Sequence, residues 1–188
     1  MELTAVRHGE TEENRNKIIQ GQAHGKLSSD GLKQVEIVAK ELSRESFDVI
    51  YSSDLHRCIA TAQCIHAYHP GTPLQYDTML REISFGAYQG QPSDSVDWES
   101  LPGSRLTRKV PDGESWQDLS QRIVFLLNNI YPKHSHDKVL IVTHGGPMRV
   151  IRSFLGNAAL EDLIDERIPN CAVWRFSMAS PIENEQAQ

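Results

Sequence analysis

Leu3-Thr4-Ala5-Val6, followed at once by Arg7-His8-Gly9-Glu10-Thr11, decides the reading of this chain. A short run of mostly apolar residues that breaks into glycine reads as a buried strand, and the break sets a cation and a nucleophile at its end. Any given tripeptide turns up by chance roughly once in a hundred chains of this length, so Arg7-His8-Gly9 alone also fits a polar turn. A second run gives it weight: Val139 to Val142 likewise breaks into Thr143-His144-Gly145-Gly146-Pro147.

Between and beyond these runs, strand and helix patterns alternate. Ser28 or Ser29 caps a helix whose apolar stripe is Leu32, Val35, Ala39 and Leu42. Asp48 to Tyr51 reads as a strand, and Ser52-Ser53 opens a helix through Ile59, Ala62 and Ile65 that stops by Pro70-Gly71. A weaker strand lies at Leu74 to Tyr76, then a loop rich in Gly, Pro, Ser and Asp from Arg81 to Gly113. Ser115 and Asp118 form a capping box for a helix carrying Trp116, Leu119, Ile123, Leu127 and Ile130, stopped at Pro132. After the second His-Gly run, Pro147 suits a first helical turn and Gly156 a helix end. Ala172 to Phe176 is the last strand expected.

Such alternation predicts an α/β fold on a mostly parallel sheet with helices on both faces, one domain over residues 1–180, with a mobile tail at 181–188. The length of 188 residues and the 39% hydrophobic content suit one such domain. A net charge of -6 with no basic stripe argues against nucleic acid and against anionic membranes as partners. With no signal sequence and no spanning run, the expected location is the cytoplasm. Three widely spaced cysteines, Cys58, Cys64 and Cys171, fit neither a disulfide framework nor a zinc site and read as reduced packing residues. His66 with His69, and His134 with His136, have spacings a metal can use but lie in polar turns, where such pairs are solvated.

Ligands of such sheets bind beyond the carboxyl ends of the strands, which gathers Arg7, His8, Ser52 to Arg57, Arg81, Glu82, His144 and Gly145 into one candidate site. Two arginines, two histidines and a glutamate suit phosphoryl transfer, where catalysis is positioning plus electrostatic stabilisation. The guanidinia of Arg7 and Arg57 can grip phosphate oxygens without a metal. A neutral imidazole can attack phosphorus if its other nitrogen donates to a fixed acceptor, and Glu82 can shuttle the leaving-group and water protons. Donors at the amino end of the helix starting near Pro147 add a positive dipole.

These residues resemble the histidine phosphatase superfamily, the phosphoglycerate mutase-like family, in its phosphatase branch. The likeness runs through Arg7-His8-Gly9-Glu10-Thr11 with Asn14 and Gln20-Gly21, Leu27-Ser28 with Gly31, Ser52-Ser53 with Arg57 and Thr61-Ala62, and Leu80-Arg81-Glu82 with Phe85-Gly86 and Gly90. It continues through Pro111, Gly113-Glu114-Ser115 and His144-Gly145-Gly146-Pro147 with Arg149. The resemblance implies that His8 is the phosphorylated nucleophile, Glu82 the proton donor and acceptor, and Arg7, Arg57 and His144 the phosphate pocket. The resemblance also implies that Asn14, Gln20, Gly21 and Gly145 line the substrate side, that the fold is a three-layer α/β/α sandwich with a mostly parallel mixed sheet, and that neither metal nor cofactor is needed. His24, Lys26, Cys58 and Gln89 depart from the common pattern; Lys26 is a candidate contact for a second anionic group.

The leading expectation is a metal-independent hydrolase of small phosphorylated metabolites acting through a phosphohistidine. A phosphomutase uses the same pocket but commonly shows His-Gly-Asn-Ser where this chain has His144-Gly145-Gly146-Pro147. A phosphate-binding regulatory module without turnover is the reading from another class.

Overall fold

The computed structural model describes residues 1–183. Its elements, in chain order, are β1 (Glu2–Arg7), α1 (Glu12–Arg15), α2 (Ser29–Leu42), β2 (Val49–Ser52), α3 (His56–His66), β3 (Leu74–Tyr76), α4 (Trp116–His134), β4 (Lys138–Thr143), α5 (Gly145–Leu155), α6 (Leu160–Leu163) and β5 (Val173–Ser177). The strands form one sheet in the order β3-β2-β4-β1-β5, parallel except for β5, which runs antiparallel along the β1 edge. Between β3 and α4 the chain makes only short 3-10 turns.

Alternation along the central strands builds both cores. Leu3, Ala5, Val49, Tyr51, Val139 and Ile141 face one side, where Leu119, Ile123 and Leu127 of α4 and Met148 and Ile151 of α5 cover them. Val6, Ile50, Leu140 and Val142 face the other, under Val38, Ala39 and Leu42 of α2 and Cys58, Ala62 and Ile65 of α3. Each fully buried aliphatic contributes about 1.5–3 kcal/mol, so the central strands are the most firmly held part of the chain. After β1 the chain turns to the α2 face, and after β4 to the α5 face. The adjacent carboxyl ends of β1 and β4 therefore open a crevice, the place where open α/β sheets bind ligands.

Several local expectations shift. Leu32 is 58% exposed, because the buried stripe of α2 is Gly31, Val35, Val38, Ala39 and Leu42, about 100° away at its first member. The helix expected from Ser52-Ser53 begins at His56: Ser52 ends β2, and Ser53 Oγ accepts from the Leu55 amide in the connecting turn. Ile59 is only half-buried on that helix. Pro132 does not stop α4, which runs to His134; its last turn is tied down by Tyr51 Oη against His134 Nε2 at 3.0 Å and by Asp137 against His134 Nδ1 at 2.8 Å. Trp116 is half-buried at the edge of the core rather than within it. Of the tail expected to be mobile, residues 184–188 lie outside those described, whereas Ile182 exchanges hydrogen bonds with the Asn128 side chain in both directions. Among the described residues, no helix is long and apolar enough to cross a membrane.

Candidate active site

His8 sits just past β1, 2% exposed, with its amide donating to the Thr143 carbonyl of β4 at 3.0 Å. Its Nδ1 lies 2.7 Å from the Gly9 carbonyl oxygen. A carbonyl only accepts, so Nδ1 carries the proton and Nε2 keeps its lone pair. Burial, reinforced by Arg57 and Arg7, holds the His8 pKa well below its ordinary 6.5. Glycine follows because a Cβ at Gly9 would come within 2.8 Å of the Gly31 carbonyl on α2.

His144 caps α5, and its ring centre stands 5.1 Å from that of His8. Arg57 Nε donates to its Nδ1 at 3.2 Å, which leaves Nε2–H to donate to Ser53 Oγ at 2.9 Å. Burial and the Arg57 charge push this imidazole also well below the usual histidine range. Arg57 itself, 1% exposed in the first turn of α3, donates to the Ala23 carbonyl at 2.8 Å and the Gly21 carbonyl at 2.7 Å. Its position follows from the late start of α3, since side chains of a first turn lean back over the strand end. Arg7 donates through Nη1 to the Ile168 carbonyl, while its Nε is buried without a partner. A buried guanidinium nitrogen with nothing to donate to is a seat for an anion.

Glu82 reaches the same space from the loop after β3. Gly146 N donates to Oε1 at 2.9 Å and to Oε2 at 3.3 Å, and Ile83 N donates to Oε1 at 2.9 Å. The carboxylate thus rests on the amino end of α5, where amides and dipole favour it. Its loop is caged from behind. Arg122 of α4 donates to the carbonyls of Met79, Arg81 and Glu82 at 2.6, 2.9 and 3.3 Å and pairs with Glu114 at 2.8 Å. Glu114 in turn accepts from Ser84 N at 2.9 Å.

The structure brings Arg7, His8, Arg57, Glu82, His144 and Gly145 together and sets Asn14, Gln20 and Gly21 around them. Asn14 accepts from the Thr11 amide and from Asn170 Nδ2, which also donates to the His8 carbonyl at 3.1 Å. Gly21, at φ +51°, and Gln20, whose Oε1 is buried without a partner, form the loop that wraps Arg57. Other candidates stay outside. Lys26 is exposed, His24 stacks on His56 at 4.2 Å, and Arg81 pairs with Asp54 at 2.5 Å. Gln89 accepts from the Gln22 amide at 2.7 Å and fills the space beside Gly21. Cys58 is buried with its sulfur 3.3 Å from His144 Nε2, and burial outweighs the Arg57 charge to push its thiol up to about 12. It packs within the α2–α3 core, while Cys64 and Cys171 are half-buried free thiols at the edge of that core, Cys64 Sγ donating to Glu36 Oε2 at 3.3 Å. His66 Nε2 is spent on the Thr72 carbonyl, and among the described residues no three His, Cys, Asp or Glu side chains are placed to hold a metal.

Sequence reasoning missed Arg122 and Asn170; it placed Ser53 in the Ser52 to Arg57 cluster and Arg149 in the second His-Gly likeness without giving either a role. Arg122 lies on the polar side of an amphipathic stripe, where charge is the ordinary pattern. Asn170 precedes β5, whose antiparallel course brings its start, not its end, beside the end of β1. That reversal was the signal available.

The family model of the histidine phosphatase superfamily (branch 1) matches residues 3–181. Phosphoglycerate mutase-like protein 4 of Arabidopsis thaliana is 35% identical over 185 residues, covering 94% of this chain and 79% of that protein. Among solved structures, a mycobacterial glucosyl-3-phosphoglycerate phosphatase complexed with VO3 superposes with a TM-score of 0.80 at 27% identity, over 93% of this chain and 91% of the other. A phosphoserine phosphatase of Entamoeba histolytica, solved with phosphoserine, gives a TM-score of 0.81 at 26% identity, over 96% and 93%. The strand-end histidines, the sheet order and these likenesses agree, and the chain belongs to the histidine phosphatase superfamily.

Proposed function

We propose that this protein is a phosphatase that hydrolyses small phosphomonoesters, without a metal, through a phosphohistidine on His8. The observation that carries the reading is the His8 ring: Nδ1 is fixed on the Gly9 carbonyl, so Nε2 keeps a lone pair in the field of Arg57 and of Arg7, whose own Nε is buried without a partner. Nε2 attacks phosphorus, the bond from phosphorus to the ester oxygen breaks, and Glu82 gives that oxygen its proton. A water then attacks the phosphohistidine and passes a proton to Glu82; the P–N bond breaks, and phosphate leaves. Arg7, Arg57, His144 and the amino end of α5 face the equatorial oxygens, where charge is spread in the transition state.

The phosphatase names of solved neighbours support hydrolysis, and the mutase-like name of the Arabidopsis relative supports a second reading, return of the phosphoryl group to another hydroxyl. Purified protein is expected to hydrolyse p-nitrophenyl phosphate in EDTA and to be inhibited by vanadate. No turnover across a broad panel of phosphomonoesters overturns the proposal. A rearranged phosphate ester in place of free phosphate selects the mutase.

A further inference from the structure

We propose that Arg149 binds a second anionic group carried by the substrate's leaving group, so that the preferred substrates are phosphomonoesters of acids or bisphosphates; this rests on the phosphatase reading above. Arg149 lies one turn after Gly145 on α5, and helical side chains lean toward the helix's amino end. Its Nη1 comes within 2.9 Å of the point where a Cβ on Gly145 would stand. That same point is 3.8 Å from Glu82 Oε2 and 3.9 Å from Arg7 Nε. Three groups from three elements converge where glycine leaves room.

Arg149 is also aimed. Its Nε donates to the Leu163 carbonyl at 2.9 Å and its Nη2 to the Glu166 carbonyl at 2.5 Å, while its guanidinium carbon lies 5.8 Å from the Trp116 ring centre. Among the described residues, Nη1 has no hydrogen-bond partner, so one donor of a fixed fork is left facing the site. Trp116 and Ile83, the neighbour of Glu82, also line a cavity of about 290 Å³ with Phe85, Trp98 and Val110. Arg149 thus lies over Trp116, one wall of this cavity, which Glu99, Arg105, Arg108, Glu114 and Asp165 also line.

Arg149 is held in the field of Glu82, with Glu166 and Asp165 felt after it. Lys26, the candidate from sequence, is exposed and outside this convergence.

The test uses matched pairs: 3-phosphoglycerate against glycerol 3-phosphate, and fructose 1,6-bisphosphate against fructose 6-phosphate. Turnover is read on the wild type and equilibrium binding on His8→Ala. A charge-assisted contact predicts a preference of about 10- to 100-fold for the member with the extra anion, and the responding pair shows whether it is carboxylate or phosphate. Arg149→Met is expected to collapse that ratio, and Arg149→Lys to restore part of it. Equal kcat/KM within both pairs, or a ratio unchanged in Arg149→Met, overturns the second-anion site while leaving the phosphatase reading intact. Selective binding without turnover of any ester does the reverse. Neither binding nor turnover removes both.

Discussion

His8 and Glu82 face one space but are held there by different means. His8 follows a strand with hydrogen-bonded neighbours on both sides, and the residues behind it, Val6, Leu140 and Val142, are fully buried. Glu82 stands on a loop with no strand of its own, half-buried, fixed by two amides in front and by Arg122 with Glu114 behind. Sheet packing is spread over many apolar residues on both faces. A polar cage depends on a few charge-assisted bonds, so proton transfer is the more fragile of the two functions.

The largest expected effect breaks the strand side. His8→Ala removes the nucleophile and is expected to lower turnover of p-nitrophenyl phosphate by at least about 10⁴-fold in steady-state assay, since the neighbouring His144 has Nδ1 accepting from Arg57 and Nε2–H donating to Ser53. Glu82→Gln comes next, at about 10²- to 10⁴-fold on alkyl phosphates. The loss should be smaller on p-nitrophenyl phosphate, whose leaving group needs little protonation; equal losses on both ester types would take the acid role away from Glu82.

Arg122 sharpens the comparison. Arg122→Met leaves Glu82 and the histidines in place but opens the cage, and is expected to reduce kcat on alkyl phosphates by about 10- to 100-fold. Its kcat on p-nitrophenyl phosphate should fall less, as with Glu82→Gln. An equal fall on both would make Arg122 a residue of general stability rather than one that positions Glu82.

The smallest effect concerns pH. His8 and His144 titrate well below the 6.5 of an unfolded histidine, so as pH falls through 6.5 the unfolded chain takes up protons that the folded one does not. Their contribution is complete above pH 6.5 and is lost below it, at up to about 1.4 kcal/mol per pH unit for each ring. Urea unfolding between pH 5 and pH 7 should show this slope, reduced by about one ring's share in His8→Asn. An unchanged slope would mean that His8 titrates normally in the folded protein.

The same contrast explains what the sequence made legible. Strand-end residues announce themselves, because an apolar run that stops at Arg7-His8-Gly9 or His144-Gly145-Gly146 marks both the sheet and the chemistry at its edge. The order of elements and the capping box at Ser115 were readable for the same local reason. Leu32, the start of α3 and Pro132 were misplaced by part of a helical turn to about one turn, because propensity does not locate the packing surface within a turn. Arg122 was not legible as part of the site, and Arg149 stood in the second His-Gly likeness without a role. Their roles come from carbonyls and carboxylates supplied by other segments, and nothing in the spacing of α4 or α5 distinguishes them from solvated cations.

The central claim is that His8 Nε2 carries the phosphoryl group. It is tested most directly by mixing Glu82→Gln protein with p-nitrophenyl phosphate, quenching in base and locating the label by peptide mass spectrometry. The account predicts an acid-labile, base-stable phosphoryl group on the peptide containing His8, absent when His8→Ala is added. A label on His144, or steady turnover with no trapped phosphohistidine under any quench, contradicts it.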